Sequence, residues 1–115
     1  MKSLKDIAEK LNLEVISGNT EREVSGGYSS DLLSDVIANA QKDNIWITLQ
    51  THLNIVAVAN LKELAGIILV NGRQPEESTL NKAKQENIPI LLTELPTFEI
   101  IGKLYELGVK GNKRF

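Results

Sequence analysis

Glycine and hydroxyl side chains cluster in the segment GGYSS, which runs from Gly26 through Gly27, Tyr28 and Ser29 to Ser30. The segment is predicted to lead from a strand into the amino end of a helix, where exposed backbone amides can hold a phosphate or a carboxylate. It lacks the lysine and the spacing of a phosphate-binding P-loop, and it does not match the GxGxxG pattern. Glycine pairs also serve plain tight turns. Two interpretations therefore stay open, a tight turn and an anion contact.

His52 is the one histidine of the chain and lies in a predicted loop after a strand, where it can act as a general base or contact a ligand. No second histidine and no cysteine is present to share a metal ion. A catalytic role would need a partner that the sequence does not reveal, so a structural or hydrogen-bonding role is favoured. No G-x-S-x-G nucleophile motif occurs. We therefore expect no enzyme activity, no metal and no cofactor.

Three further positions follow predicted strands and have both a structural and a functional interpretation. Asn71-Gly72 is first a turn signature, although glycine also allows a ligand to approach the backbone closely. Thr93 and Glu94 end the last strand, either as a solvated loop in which the threonine caps locally or as ligand contacts. Trp46 lies within a strand, where a core or interface role is favoured over a binding platform.

The composition of the 115 residues excludes several classes of protein. Acidic side chains outnumber basic ones 15 to 13, and this balance lacks the basic face that nucleic-acid binding requires. Without cysteine there is no disulfide framework. The charged start of the chain lacks the apolar stretch of a signal peptide. The longest apolar runs fall far short of the roughly 20 residues that span a membrane. We expect a cytoplasmic protein that binds neither nucleic acid nor membrane.

Hydrophobic periodicity divides the chain into alternating strands and helices. Short runs rich in β-branched and apolar residues, such as IWITL, GIILV and IPILL, are typical of buried strands. Residues 109–115 are predicted to form a frayed tail. The predicted strands are 13–16, a segment from Val24 into Gly26-Gly27, 45–49, 66–70 and 88–92, and the predicted helices are capped or begin at Ser3, Ser30-Asp31, Asn54, Pro75 and Thr97.

Helical spacing also predicts which residues face the core. The helix after Ser30-Asp31 is expected to bury Leu32, Leu33, Val36, Ile37 and Ala40. The helix from Asn54 to about Glu63 is apolar on all sides and should be largely buried. Two more inner faces are predicted, one formed by Leu80 and Ala83 with Asn87 as a further candidate, and one formed by Phe98, Ile101, Leu104 and Tyr105.

Alternating strands and helices indicate βαβ units, and therefore a single α/β domain over residues 1–115 with a mostly parallel sheet of four to five strands between two helical layers. Right-handed crossovers place the carboxyl ends of the strands on one edge of the sheet, and open sheets of this kind bind ligands there. We predict a ligand site at this edge, formed by Gly26, Gly27, Tyr28, Gln50, Thr51, His52, Asn71, Gly72, Thr93 and Glu94.

Three motifs in combination, GYSSDLLS, WITLQTHLNIVAVA and ELPTFEI, resemble the DRTGG domain, and most closely a stand-alone bacterial branch of that family. The resemblance covers about Val15 to Leu107. The sequence departs from the loops that give the family its name. Thr51-His52 stands where many members have Asp-Arg, and Val70-Asn71-Gly72 stands where they have Thr-Gly-Gly, so that only Gly72 matches. Pro96 replaces the aspartate of an Asp-Thr-Phe motif. A ligand recognised through the Asp and Arg charges would lose those contacts here.

The resemblance implies a fold similar to the N-terminal domain of HPr kinase/phosphorylase. The phosphate-binding loop of that kinase lies in its other domain and has no counterpart in this sequence, so we expect no kinase activity. In larger proteins the family's domain accompanies CBS or phosphotransacetylase domains, which implies a regulatory or dimerising module. Stand-alone members are similar to proteins encoded beside bacterial iron hydrogenases, which implies an accessory role in a redox complex.

Three hypotheses follow, in order of preference. The first is a non-catalytic regulatory or interaction module that forms a homodimer, because symmetric pairing is the commonest oligomer, and that senses a small anionic ligand or binds a protein partner. The second is a sensor of a nucleotide or another metabolite, accessory to a redox complex. The third is an enzyme of unknown reaction, which no nucleophile or metal constellation supports.

Overall fold

The structure, a computed structural model, describes residues 2–112. Strands and helices alternate along most of the chain, as the apolar periodicity predicts. The strands are β1 (Lys2–Ser3), β2 (Glu14–Ser17), β3 (Glu23–Val24), β4 (Gly26–Ser29), β5 (Asn44–Thr48), β6 (Gly66–Leu69) and β7 (Ile90–Leu92), and the helices are α1 (Leu4–Lys10), α2 (Leu33–Asn39), α3 (Asn54–Leu61), α4 (Glu77–Glu86) and α5 (Thr97–Glu106).

A five-stranded sheet in the order β2-β7-β6-β5-β4 forms the centre of the molecule. Strands β4 to β7 are parallel to one another, and β2 joins β7 in the antiparallel direction. This arrangement confirms the predicted α/β class and the mostly parallel sheet. All four residues of β6 are buried, as expected of a central parallel strand that helices cover on both faces. A small antiparallel pair, β1 with β3, lies apart from the main sheet and was not predicted.

Alternating side chains of the strands form two apolar cores, one on each face of the sheet. Ile45 and Ile47 of β5 belong to the core beneath α1 and α5, together with Ile100 of α5. Trp46, between them, belongs to the core beneath α2, α3 and α4, together with Ile55 of α3. The result is a sheet between two helical layers.

The predicted second strand, from Val24 into Gly26-Gly27, is in fact two strands that belong to different sheets. Ser25 separates them, and its hydroxyl donates a hydrogen bond to the Lys42 carbonyl at 2.8 Å. Gly26 and Gly27 were predicted to end a strand. Gly26 instead begins β4 and pairs with Asn44 of β5. Two consecutive strands have the same two-residue repeat of apolar side chains whether they belong to one sheet or to two. The apolar pattern therefore cannot reveal that the chain changes sheet at Ser25.

Several helix ends and inner faces differ from the prediction. Ser3 caps α1 as expected, its hydroxyl accepting from the Asp6 amide at 3.1 Å. Helix α2 has no side-chain cap, so the prediction that Ser30-Asp31 caps it was wrong. Helix α4 begins two residues after Pro75, and α5 has Pro96 at its cap position with Thr97 as its first residue. Leu32, Ile37, Phe98 and Tyr105 are exposed, and Thr79 rather than Leu80 is buried beside Ala83.

Residues 109–112 are packed against the domain, contrary to the predicted frayed tail; 113–115 lie outside the described residues. Gly108 has the positive φ of +92° that commonly ends a helix and turns the chain back. Val109 is then buried. The Lys110 carbonyl accepts a hydrogen bond from the Gly27 amide at 2.9 Å. The Asn112 side chain exchanges two hydrogen bonds with Asn44, each of 3.1 Å. We call residues 109–112 the C-terminal strap.

None of the helices in the described part of the chain has the length and apolar character needed to cross a membrane.

Candidate functional site

Six of the candidate residues come together where β5, β6 and β7 end, because these strands are adjacent and parallel. The Asn71 amide donates to the Leu95 carbonyl, and the Gly72 amide donates to the Thr93 carbonyl, both at 3.0 Å. These bonds join the loop after β6 to the loop after β7. We call this surface the carboxyl edge; its candidate residues are Gln50, Thr51, Asn71, Gly72, Thr93 and Glu94.

The Asn71-Gly72 turn lies at the centre of the carboxyl edge and supports the interpretation as a turn. Both residues have positive φ, +58° and +68°, which asparagine and glycine adopt most readily. A Cβ atom on Gly72 would lie 2.7 Å from Oε2 of Glu94, a flexible side-chain end that could move aside, so the positive φ is what favours glycine at this position. The Glu94 carboxylate therefore lies across Gly72. Any ligand that reaches this turn meets a negative charge first.

The loop after β5 is fixed to the start of α4. The Thr51 carbonyl accepts from the Glu76 amide at 3.1 Å and from the Thr79 hydroxyl at 2.8 Å. Thr79 can therefore be buried, because its hydroxyl donates a hydrogen bond to the Thr51 carbonyl. His52 follows on the exposed side, with its Nδ1 3.0 Å from Oδ1 of Asn54.

Asp31 organises the carboxyl edge in a way that the sequence interpretation missed. Its Oδ1 accepts from the Thr48 hydroxyl at 2.8 Å and from the Leu49 amide at 2.7 Å. Its carbonyl accepts from Nε2 of Gln50 at 2.8 Å. These bonds tie the loop after β4 to the end of β5. An acidic residue just after a strand was the available signal, but it was interpreted as a helix cap.

Gly26 and Gly27 lie away from the carboxyl edge, because they begin β4 and the edge forms where the strands end. The Gly27 amide donates to Lys110, so it is not an open anion contact. A Cβ atom on Gly26 would lie 2.8 Å from the Lys110 carbonyl oxygen, which explains why glycine is suited to this position. The expectation that these glycines share a site with Gly72 was wrong in its geometry.

Tyr28 is half-buried, and its hydroxyl donates to Oδ1 of Asp35 at 2.8 Å. Nδ2 of Asn39 donates to the same oxygen at 2.8 Å. Hydrogen bonds from Ser30, Tyr28 and Asn39 hold the pKa of Asp35 below its usual range, and slight desolvation opposes them. Tyr28 therefore contributes to a polar cluster that anchors α2, and its hydroxyl is already engaged there.

Replacing Asp35 with asparagine should destabilise the protein at neutral pH, and the difference from wild type should shrink in acid. A carboxyl whose pKa is lowered by folding contributes stability above its unfolded pKa, about 4, and loses it as the pH falls through the lower folded value. Urea unfolding of wild type and Asp35→Asn at pH 7 and pH 3 tests this. Equal differences at the two pH values would contradict it. Asp6→Asn, at an exposed position of α1, provides the control.

The electrostatic character of the carboxyl edge is mixed. Within residues 2–112 the one ion pair joins Lys82 to Glu86, so no carboxylate neutralises the guanidinium of Arg73 in the loop after β6. Glu94 supplies negative charge nearby. No group of three histidine, cysteine, aspartate or glutamate side chains in this range is arranged to hold a metal ion. The backbone amides of Asn71 and Gly72 are already bonded within the edge. The exposed groups near a ligand would therefore be the Arg73 guanidinium, the His52 imidazole and the Glu94 carboxylate.

A cleft of about 730 Å³ lies elsewhere, where the C-terminal strap passes β1 and β3. None of the ten candidate residues lines it. The carboxyl edge is therefore distinct from this cleft.

The fold and this edge define a class: an open, mostly parallel α/β domain whose strand-end loops are held rigid by hydrogen bonds to one another. The model of the DRTGG domain matches residues 6–107, and the chain belongs to that family. A comparison with curated protein sequences returned no match.

One similar solved structure is the regulatory region of a Clostridium perfringens pyrophosphatase, containing CBS and DRTGG domains in complex with its activator, diadenosine tetraphosphate. The match has a TM-score of 0.73 at 19% identity and covers 97% of this chain. It covers 51% of the other chain, so the present protein spans about half the length of that structure. At this identity the similarity establishes the shared fold.

Proposed function

We propose that this protein is a non-catalytic regulatory module that acts as a homodimer and binds a small anionic ligand, in the first place a nucleotide, at the carboxyl edge. The observation that carries the proposal is that hydrogen bonds tie the loops of the carboxyl edge to one another. The polar groups of Asp31, Gln50 and Thr51 are occupied by bonds between loops. Loops fixed in this way lose little entropy when a ligand binds.

Arg73 and His52 are the groups best suited to meet the anion. They lie in exposed loops that the hydrogen bond between Glu76 and Thr51 brings together. The guanidinium of Arg73 suits a phosphate because its planar fork can donate two hydrogen bonds. Glu94 opposes an anion placed over Gly72, so we assign the phosphate to the side of the edge nearer Arg73. Family membership and the nucleotide bound by the similar regulatory region support a nucleotide as the ligand class.

A ligand that binds the folded protein should raise its melting temperature, because binding adds about 2.7 kcal/mol of stability when the ligand is present at 100 times its Kd. Diadenosine tetraphosphate, ATP, AMP and inorganic phosphate are the probes. We expect a concentration-dependent rise with at least one of the nucleotides. No rise with any of them at millimolar concentration would overturn the sensing proposal.

Charge variants locate the site. Arg73→Ala should weaken binding about two- to five-fold and Glu94→Gln should strengthen it to a similar extent, as expected for exposed charges. Lys103→Ala, at an exposed position of α5, is the matched control and should bind as wild type does. Binding that responds equally to all three variants would place the ligand elsewhere.

A further inference from the structure

Asn71-Gly72 is the one Asn-Gly dipeptide among the 115 residues. Asparagine is one of the thermolabile residues of proteins, because the backbone nitrogen of the next residue can attack its side-chain carbonyl carbon. Glycine hinders this attack least, since it has no side chain, and every other asparagine of the chain precedes a residue that has one. Asn71 is exposed, so water reaches its side chain. The pair therefore has the composition and the access that deamidation requires.

Deamidation at this pair would replace a neutral amide with a negative charge. The Gly72 backbone nitrogen bonds to Cγ of Asn71, the bond from Cγ to Nδ2 breaks, and Nδ2 leaves as ammonia with the proton of the Gly72 amide. Water then opens the cyclic imide and returns a proton to the Gly72 nitrogen. Attack of water at Cγ gives aspartate, and attack at the main-chain carbonyl carbon gives isoaspartate. Both products carry a carboxylate at residue 71.

Two backbone hydrogen bonds hold the Asn71-Gly72 turn against this reaction. The Gly72 backbone amide, which supplies the attacking nitrogen, donates to the Thr93 carbonyl at 3.0 Å. The Asn71 backbone amide donates to the Leu95 carbonyl at the same distance. While these bonds are formed, the proton of the Gly72 amide is engaged and its nitrogen is fixed within the turn. The reaction therefore requires the turn to open locally.

The loop after β7 supplies both acceptors of the turn, and a hydroxyl supports that loop. Oγ1 of Thr93 accepts from the Leu95 backbone amide at 3.2 Å, which joins the two residues whose carbonyls bind the turn. Thr93 is buried, so water does not readily replace this bond. The Thr93 hydroxyl thereby contributes to keeping the turn closed.

We infer that Asn71 is a site of spontaneous deamidation, which the folded carboxyl edge suppresses and which opening of the loop after β7 permits. The rate in the folded protein is then the rate in the unfolded chain multiplied by the fraction of molecules in which the turn is open. Because two hydrogen bonds must break, the folded protein should deamidate at Asn71 at least about ten times more slowly than the unfolded chain.

Deamidation has a consequence for ligand binding that rests on the proposed function. The new carboxylate would adjoin Gly72, across which the Glu94 carboxylate already lies. Asn71→Asp carries the same charge, and aspartate tolerates the positive φ of this position. This variant should bind a nucleotide about two to five times more weakly than wild type. Equal binding by both proteins would contradict this consequence alone, whereas absence of binding to wild type would contradict the proposed function.

Peptide mapping by mass spectrometry measures the deamidation rate itself, because the reaction replaces an NH2 group with OH and raises the mass of the peptide that contains Asn71. Wild type is incubated at mildly alkaline pH, in buffer and in urea. Thr93→Val removes the hydroxyl and keeps a side chain of similar shape. In buffer this variant should deamidate at Asn71 about three to ten times faster than wild type. Thr93→Ser retains the hydroxyl and should keep the wild-type rate.

Ser17→Ala is the matched control at the opposite end of β7. The Ser17 hydroxyl donates to the Ile88 carbonyl at 2.8 Å and accepts from the Ile90 amide at 3.0 Å. Its loss should lower the stability of the whole domain without loosening the loop after β7. Ser17→Ala should therefore deamidate at Asn71 at the wild-type rate, provided that circular dichroism shows it folded.

Four results would overturn the inference. Equal rates in buffer and in urea would show that the folded turn does not protect Asn71. Absence of the reaction in urea would show that Asn71 is not a deamidation site. An unchanged rate in folded Thr93→Val, or equal acceleration by Thr93→Val and Ser17→Ala, would separate the reaction from opening of the loop after β7.

Discussion

Replacing Trp46 with alanine is expected to lower the free energy of unfolding by about 3–5 kcal/mol, the usual cost of removing a buried tryptophan side chain. Trp46 is fully buried between the sheet and the layer of α2, α3 and α4. Its Nε1 also donates a hydrogen bond of 2.9 Å to the Ser30 carbonyl. The change would therefore leave both a cavity and an unpaired carbonyl at the base of the carboxyl edge.

Trp46→Phe separates these two contributions. Phenylalanine retains most of the apolar volume and removes the donor, so its cost should be nearer the 1–3 kcal/mol of an unsatisfied polar group. Urea unfolding followed by circular dichroism is suitable for all three proteins, since the variants lose the one tryptophan of the chain as a fluorescent reporter. A Trp46→Ala protein within 1 kcal/mol of wild type would contradict the assignment of Trp46 to the core.

Asn44→Ala should cost about 1–3 kcal/mol, because its fully buried amide connects three separate segments whose polar groups would lose their partner. Its Oδ1 accepts from the Gln41 amide at 2.9 Å, and its Nδ2 donates to the Ser25 hydroxyl at 3.2 Å. The pair of bonds with Asn112 fastens the C-terminal strap. We expect the strap to become more mobile in this variant.

Asn112→Ala is the companion variant and should cost less, because Asn112 lies on the strap and water can replace some of its bonds. The double variant should be more stable than the sum of the two single losses implies, since both remove the same pair of hydrogen bonds. Strict additivity would show that the two amides do not interact in solution.

The sequence predicts the centre of this fold better than its margins, for a physical reason. A continuous apolar run such as GIILV is suited to a strand buried on both faces, and it forms β6 at the middle of the sheet. At the margins, partial burial makes the apolar pattern ambiguous. Leu80 was expected in the core, but Thr79 occupies that position because its hydroxyl satisfies the Thr51 carbonyl. Hydrophobicity alone carries no information about such a polar requirement.

The candidate site likewise has one part that the sequence predicts and one part that it does not. Parallel strands bring their carboxyl ends together, so the neighbourhood of Gln50, Asn71 and Glu94 followed from chain order alone. Gly26 and Gly27 begin β4 at the opposite edge, and the partner of the Gly27 amide comes from a strap more than 80 residues later in the chain. A hydrogen bond between two residues so far apart in the chain leaves no local pattern in the sequence. Whether the carboxyl edge binds a ligand stays a prediction.

The C-terminal strap has a consequence for the way the chain can be connected. Lys2 and Asn112 line the same cleft, so the first and last parts of the described chain meet at one pole, opposite the carboxyl edge. Domains whose ends meet in this way commonly accept circular permutation. A short linker between these ends, with new ends opened at exposed Arg73 and Gln74, should preserve the sheet. A domain fused beside Lys2 or Asn112 would approach from the pole that leaves the carboxyl edge open to solvent.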